Sequence, residues 1–335
     1  MLRRHSFVRS LLAVLFCAGA TTTASAQFSQ ILFFGDSLTD PGNLALVIGS
    51  DPGQVITGNT YIPSKPYASG QFTNGDVWAK TFASALGVPL SAQPVPAGGG
   101  NYAFGGARVA TDGVGLPPSL TTQEGLYLQS HGNSAPGSAL YVIAGGGNDA
   151  RDALAAAASA MNPGAVIAAA AMSFAQSIGV MVDQLQAAGA QHIVVWDVPD
   201  LGLAPAVTAL GAGPTFLGTQ VSLAMNGALA TRLTGEAGVS VFDLFGLQNK
   251  IVANPASFGL VNVTDACGAV PAPPTCNPAT ALYWDGIHPT AAGHALLAQG
   301  MLVVAVPEPS ELVLMLSGLV AVAAWQRRAR RASGR

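Results

Sequence analysis

Four short apolar runs, at 30–34, 139–144, 192–196 and 239–242, alternate with long stretches that carry helical spacing. Each run is bounded by turn residues and is too short for a helix, so each reads as a strand of a buried sheet. The stretches 76–86, 121–130, 150–161, 164–188, 215–234 and 290–303 read as helices. Alanine runs such as 155–158 and 168–171 are strong helix formers and need no functional account. A strand followed by a helix rejoins its sheet in parallel, by a crossover that lays the helix on one face. The expected fold is therefore a single three-layer α/β/α domain with a mostly parallel sheet. Open sheets of this kind bind ligands beyond the carboxyl ends of their strands, so the turns after these runs are where chemistry is expected.

The first run ends in Phe34-Gly35-Asp36-Ser37-Leu38-Thr39-Asp40, which puts Ser37 on the turn after a strand. A serine hydroxyl is a poor nucleophile at neutral pH and needs a base, an orienting acid and oxyanion donors. Tyr283-Trp284-Asp285-Gly286-Ile287-His288-Pro289 supplies an acid three residues before a histidine, a spacing that one helical turn or a tight loop can close. Asp285 could then hold His288 in the tautomer whose other nitrogen accepts the Ser37 proton. Between these ends lie two glycine-rich turns, at 98–107 and at 145–149, where the backbone can come close to a bound group. Each block alone has a plain structural reading. The serine turn can be only a turn, Asp285 can cap a helix, and Asn148 can occupy a left-handed turn position.

Taken in order, these four blocks resemble the GDSL esterase/lipase family, also called SGNH hydrolases, over roughly 31–302. The stretch Val195-Trp196-Asp197-Val198-Pro199-Asp200-Leu201-Gly202 is also similar to a family segment that follows a core strand. The resemblance implies a flavodoxin-like fold and a carboxylic-ester substrate, with no cofactor. It implies Ser37 as nucleophile and backbone oxyanion donor, with Gly106 as a second backbone donor and Gly105 as its neighbouring alternative. Asn148 is then the side-chain donor, and Asp285 and His288 are the acid and base of the triad. The serine does not stand in a Gly-x-Ser-x-Gly elbow, so the mechanics of α/β-hydrolases do not carry over. Acyl specificity is expected in the loops 44–74 and 110–118.

The remaining histidines have ordinary places. His131 ends a helix, His192 opens a strand, and His294 lies in a helical pattern without an acid beside it. Asp36 and Asp40 flank the serine and are expected to shape its loop by accepting backbone N–H groups.

Two terminal segments are expected to lie outside the globular part, 27–306. Segment 1–26 has Arg3, Arg4 and Arg9, an apolar stretch at 11–20, and Ala24-Ser25-Ala26, the layout of a cleavable secretory signal. Segment 307–335 has Pro307-Glu308-Pro309, an apolar stretch at 312–325 and a basic tail. It resembles the PEP-CTERM sorting signal of Gram-negative bacteria, which implies export machinery and a sorting protease as partners; an uncleaved tail anchor is the alternative. The expected location is the periplasm, the cell surface or the medium.

Without these ends the chain keeps six basic against fifteen acidic residues, with no basic cluster of the kind that nucleic-acid binding requires. Cys267 and Cys276 then remain as an even pair in an exported protein and are expected to form a disulfide. With no histidine near, they cannot complete a tetrahedral metal shell. The expected activity is hydrolysis of carboxylic esters, whether lipid or short-chain. Alternatives are an O-acetylesterase acting on exopolysaccharide, a lipid acyltransferase, and a non-catalytic extracellular matrix protein.

Overall fold

The computed structural model describes residues 28–113, 115 and 117–306, together with 318 and 322. The expected leader and sorting segment otherwise lie outside the described residues.

All four expected strands form, as β1 (Ile31–Gly35), β2 (Leu140–Ala144), β3 (His192–Trp196) and β4 (Val239–Phe242). They pair in parallel and in sequence order, with Ile31 opposite Leu140, Leu140 opposite His192 and Ile193 opposite Val239. Every residue of β1 and β2 is buried, as strands covered on both faces must be.

The helices are α1 (Asn43–Ile48), α2 (Trp78–Ala85), α3 (Leu120–Ser130), α4 (Gly147–Ser159) and α5 (Pro163–Ala187), then α6 (Pro205–Thr208), α7 (Ala212–Arg232), α8 (Leu244–Ala253) and α9 (Ala291–Ala305). Alternation along the strands sorts the core into two layers. Leu32, Phe34, Tyr141, Ile143, Ile193 and Val195 meet the apolar stripes of α3, α4, α5 and α7. Ile31, Phe33, Val142, Val194 and Trp196 meet α2, the start of α8, and α9. On that face Trp78 packs on Trp196 with ring centroids 4.5 Å apart. The fold is thus three layers, α/β/α.

Helices α1, α6 and α8 are not among the expected helices, and two further features go beyond the sequence expectation. A second, two-stranded parallel sheet pairs β5 (Asn262–Ala266) with β6 (Ala281–Tyr283), and β6 runs directly into the Asp285–His288 segment. The strip 100–104 runs beside the free edge of β1: Phe33 N–H donates to Gly100, and the N–H groups of Tyr102 and Phe104 donate to Phe33 and Gly35. That strip delivers Gly105 and Gly106 to the end of β1 where Ser37 stands. Cys267 and Cys276 are bonded, with Cα atoms 5.2 Å apart, in the loop between β5 and β6.

Candidate active site

The end of β1 is clamped before the chain turns. The buried side chain of Gln123 on α3 accepts from Gly35 N–H at 2.8 Å and donates to Gly35 C=O at 2.9 Å. A Cβ at Gly35 would stand 2.7 Å from the Ala144 carbonyl, so only glycine lets β1 lie this close to β2. Past it the backbone folds on itself: the N–H groups of Thr39 and Asp40 both donate to Asp36 C=O, and Leu38 N–H donates to Asp36 Oδ1. Ser37 is left at the crest of this turn. The Asp40 carboxylate accepts from the N–H groups of Gly42, Asn43 and Leu44, and also from Gly105 at 2.8 Å. One buried side chain therefore binds the serine turn to the strip that carries Gly106.

Ser37, His288 and Asp285 come together from opposite ends of the chain. Ser37 Oγ lies 2.9 Å from His288 Nε2, and His288 Nδ1 lies 2.7 Å from Asp285 Oδ2. A carboxylate can only accept, so Nδ1 carries the imidazole proton and Nε2 is left to accept from Ser37. Asp285 Oδ1 accepts from the N–H groups of Ile287 and His288, each at 2.8 Å, which closes the three-residue spacing as a side-chain turn rather than a helix. Tyr67 donates its hydroxyl to Asp285 Oδ2 at 2.7 Å. Asp285 is fully buried, and these donors replace the water that an isolated carboxylate would demand. Phe72 lies against the imidazole, with ring centroids 5.1 Å apart.

The three candidate oxyanion donors border the same space. Gly105 N–H is committed to Asp40, whereas neither the Ser37 nor the Gly106 N–H has an acceptor among the described residues. This distinguishes the two neighbouring glycines. Gly106 adopts φ +83°, a left-handed conformation, while a Cβ at Gly105 would collide with Phe72. Asn148 is the second residue of α4, after left-handed Gly146, so it sits in a first helical turn rather than at a left-handed position. Its Nδ2 donates one proton to Ala107 C=O at 2.9 Å and keeps a second, while its Oδ1 accepts from Arg151 at 3.3 Å. That pairing fixes which way the amide points.

Burial sets the electrostatics around this centre. It raises the Asp36 carboxyl to about 6, against the lowering effect of Leu38 N–H, and raises Asp149 to about 6 as well. His294, on α9, is pushed down to about 3 by burial and accepts from Trp78 N–H, so it is a neutral core residue. His131 bonds the Tyr127 carbonyl at the end of α3, as the sequence suggests.

Ser37 and His288 open onto a cleft of about 580 Å³. Its walls include Leu44, Val47 and Ile48 of α1, then Ile62 to Ser64, Phe72 and Pro117, so the two loops expected to carry specificity do border it. Tyr67, Gln123 and Arg151 were not legible as site residues. Tyr67 is 218 positions from its partner and has no local signal. Gln123 had one, because a glutamine on the buried face of α3 needs partners there.

The chain belongs to the GDSL-like lipase/acylhydrolase family, whose model matches residues 31–301. It is similar to esterase EstA of Pseudomonas aeruginosa, 30% identical over 87% of this chain and 49% of the relative. It is also similar to a GDSL esterase/lipase of Arabidopsis thaliana, 26% identical over 83% of this chain and 88% of the relative. The thermolabile hemolysin of Vibrio parahaemolyticus is 24% identical over 82% of this chain and 63% of its own length. The chain spans about half the length of the esterase EstA relatives.

Proposed function

We propose that this chain is an exported carboxylic-ester hydrolase that works through an acyl-enzyme on Ser37. The observation that carries the reading is the unbroken relay from Ser37 Oγ to His288 Nε2 at 2.9 Å and from His288 Nδ1 to Asp285 at 2.7 Å. Ser37 Oγ attacks the ester carbonyl carbon as its proton passes to His288 Nε2. The carbonyl oxygen takes up the electron pair and is stabilised by the N–H groups of Ser37 and Gly106 and by the second Asn148 amide proton. The C–O bond to the alcohol then breaks, and His288 returns the proton to the leaving oxygen. Water repeats the sequence on the acyl-enzyme, frees the acid and restores Ser37. Asp285 keeps the imidazole in the productive tautomer and offsets its charge while it is protonated.

Export is supported by the leader-like residues at 1–26, the sorting-like tail at 307–335 and the bonded Cys267–Cys276 pair. The test is acid release from esters of graded acyl length, including an acetylated polysaccharide, by the wild type and Ser37→Ala. The reading requires release by the wild type and a loss of at least about 10³-fold in the variant. Equal, slow release by both proteins on every ester contradicts it.

A further inference from the structure

Ser37 and His288 stand between two spaces of very different size. On one side is the open cleft of about 580 Å³; on the other a cavity of about 90 Å³ runs from Ser37 into the core. The cavity passes between Leu201 and Ala204, after β3, and Ile251 of α8 and Leu282 of β6. These are buried core residues, unlike the loop residues around the cleft. At the cavity wall Gln248 donates to the Tyr283 hydroxyl at 2.6 Å, while its own Oε1 is buried without a partner among the described residues.

An ester carbonyl over Ser37 has two substituents to place. The alcohol must leave beside His288, and the water that ends the cycle must then reach the same position, which the roomier of the two spaces serves for alcohols of any size. The acyl group stays bound through both steps and needs no exit until the end. We infer that the narrow core cavity is the acyl site and the wide cleft the alcohol site, so that acyl selection lies in the core rather than in the loops 44–74 and 110–118, and this chain is selective for short acyl groups on alcohols of varied size. This inference rests on the proposed hydrolase reading.

The size of the cavity sets the chain length. A dry apolar cavity of about 150 Å³ accommodates benzene, so about 90 Å³ takes roughly four carbons. A longer alkyl chain would also press against the unpartnered Gln248 oxygen and bar water from it, which is unfavourable. Acetyl to roughly pentanoyl groups fit by this measure.

Two ester series test this on the whole chain. In the first, a p-nitrophenyl leaving group is kept and the acyl group lengthened from acetyl to dodecanoyl. In the second, butanoyl is kept and the alcohol lengthened from methanol to decanol. We expect kcat/KM to peak near butanoyl and fall at least about 10-fold by octanoyl, with a change of less than about 3-fold along the alcohol series. Ala204→Leu should shift the acetyl-to-butanoyl ratio toward acetyl, and Ile251→Ala should shift the optimum to longer chains. These opposite shifts within single proteins are insensitive to how much of each variant folds. Turnover that is flat or rising with acyl length, or that falls steeply with alcohol length instead, overturns this inference alone. Absence of turnover on every ester overturns the hydrolase reading and this inference with it.

Discussion

Tyr67 and His288 share one carboxylate oxygen: the phenol and the imidazole Nδ1 each lie 2.7 Å from Asp285 Oδ2. The phenol is held in its donor form, because burial and the adjacent Asp285 raise its pKa well above the usual tyrosine range. It therefore braces the acid that orients the base. Tyr67→Phe removes one bond to a buried charge, a loss of about 1.5–3 kcal/mol if it were felt in full at the transition state. We expect kcat to fall about 10-fold with KM little changed, because nothing that faces the substrate is altered. Steady-state kinetics with the circular dichroism melt of the same variant checks this.

Asp40 joins the serine turn to the Gly105–Gly106 strip through four N–H donors. In Asp40→Asn, one of the two oxygens becomes an NH₂ group facing donors. The expected outcome is a kcat loss of about 10²-fold, similar to the removal of one oxyanion donor, and a stability loss of about 1–3 kcal/mol. Urea denaturation measures the second and ester kinetics the first. The Asp36 carboxylate accepts from Leu38 N–H rather than tying two segments together, so Asp36→Asn is expected to be the milder change.

The sequence made the frame readable and the braces unreadable, for a physical reason. The strands are short apolar runs that only a sheet covered on both faces can use, and Ser37, Asn148, Asp285 and His288 sit in motifs fixed by local turns. Tyr67 and the Gln248–Tyr283 pair act through contacts between distant segments, which no local pattern records. The same holds for β5 and β6: the first carries polar Asn262, Thr264 and Asp265, the second has three residues, and they form only by pairing with each other. Helix α8 did have a signal, since Asp243 caps it by accepting from Gly246 N–H, but Gly246 in its first turn weakens the helical pattern.

Glu124 lies fully buried in α3 with neither oxygen bonded among the described residues, and burial raises its pKa to about 9. The folded state therefore keeps a proton that the unfolded chain releases above its ordinary value of 4.5. Stability from this group is fully present below that value and is lost as pH rises toward 9, at about 1.4 kcal/mol per pH unit. Glu124→Gln abolishes the titration. Melting temperatures measured from pH 5 to 9 should fall more steeply for the wild type than for the variant.

The bonded pair Cys267–Cys276 closes a short loop between β5 and β6, just ahead of Asp285. Loop-closure entropy assigns such a link about 2–3 kcal/mol. Replacing both cysteines with serine should lower the denaturation midpoint by a matching amount. Reductant should lower the wild type equally and leave the double variant unchanged.

The central claim is that Ser37 becomes acylated, and covalent capture tests it most directly. The protein is treated with a fluorophosphonate, digested, and the modified peptide identified by mass spectrometry. The account predicts a single phosphonylated residue, Ser37, with labelling abolished in Ser37→Ala and slowed at least about 10²-fold in His288→Ala, whose serine has lost its base. Labelling at another residue, or ester hydrolysis that persists at wild-type rate in Ser37→Ala, would contradict it.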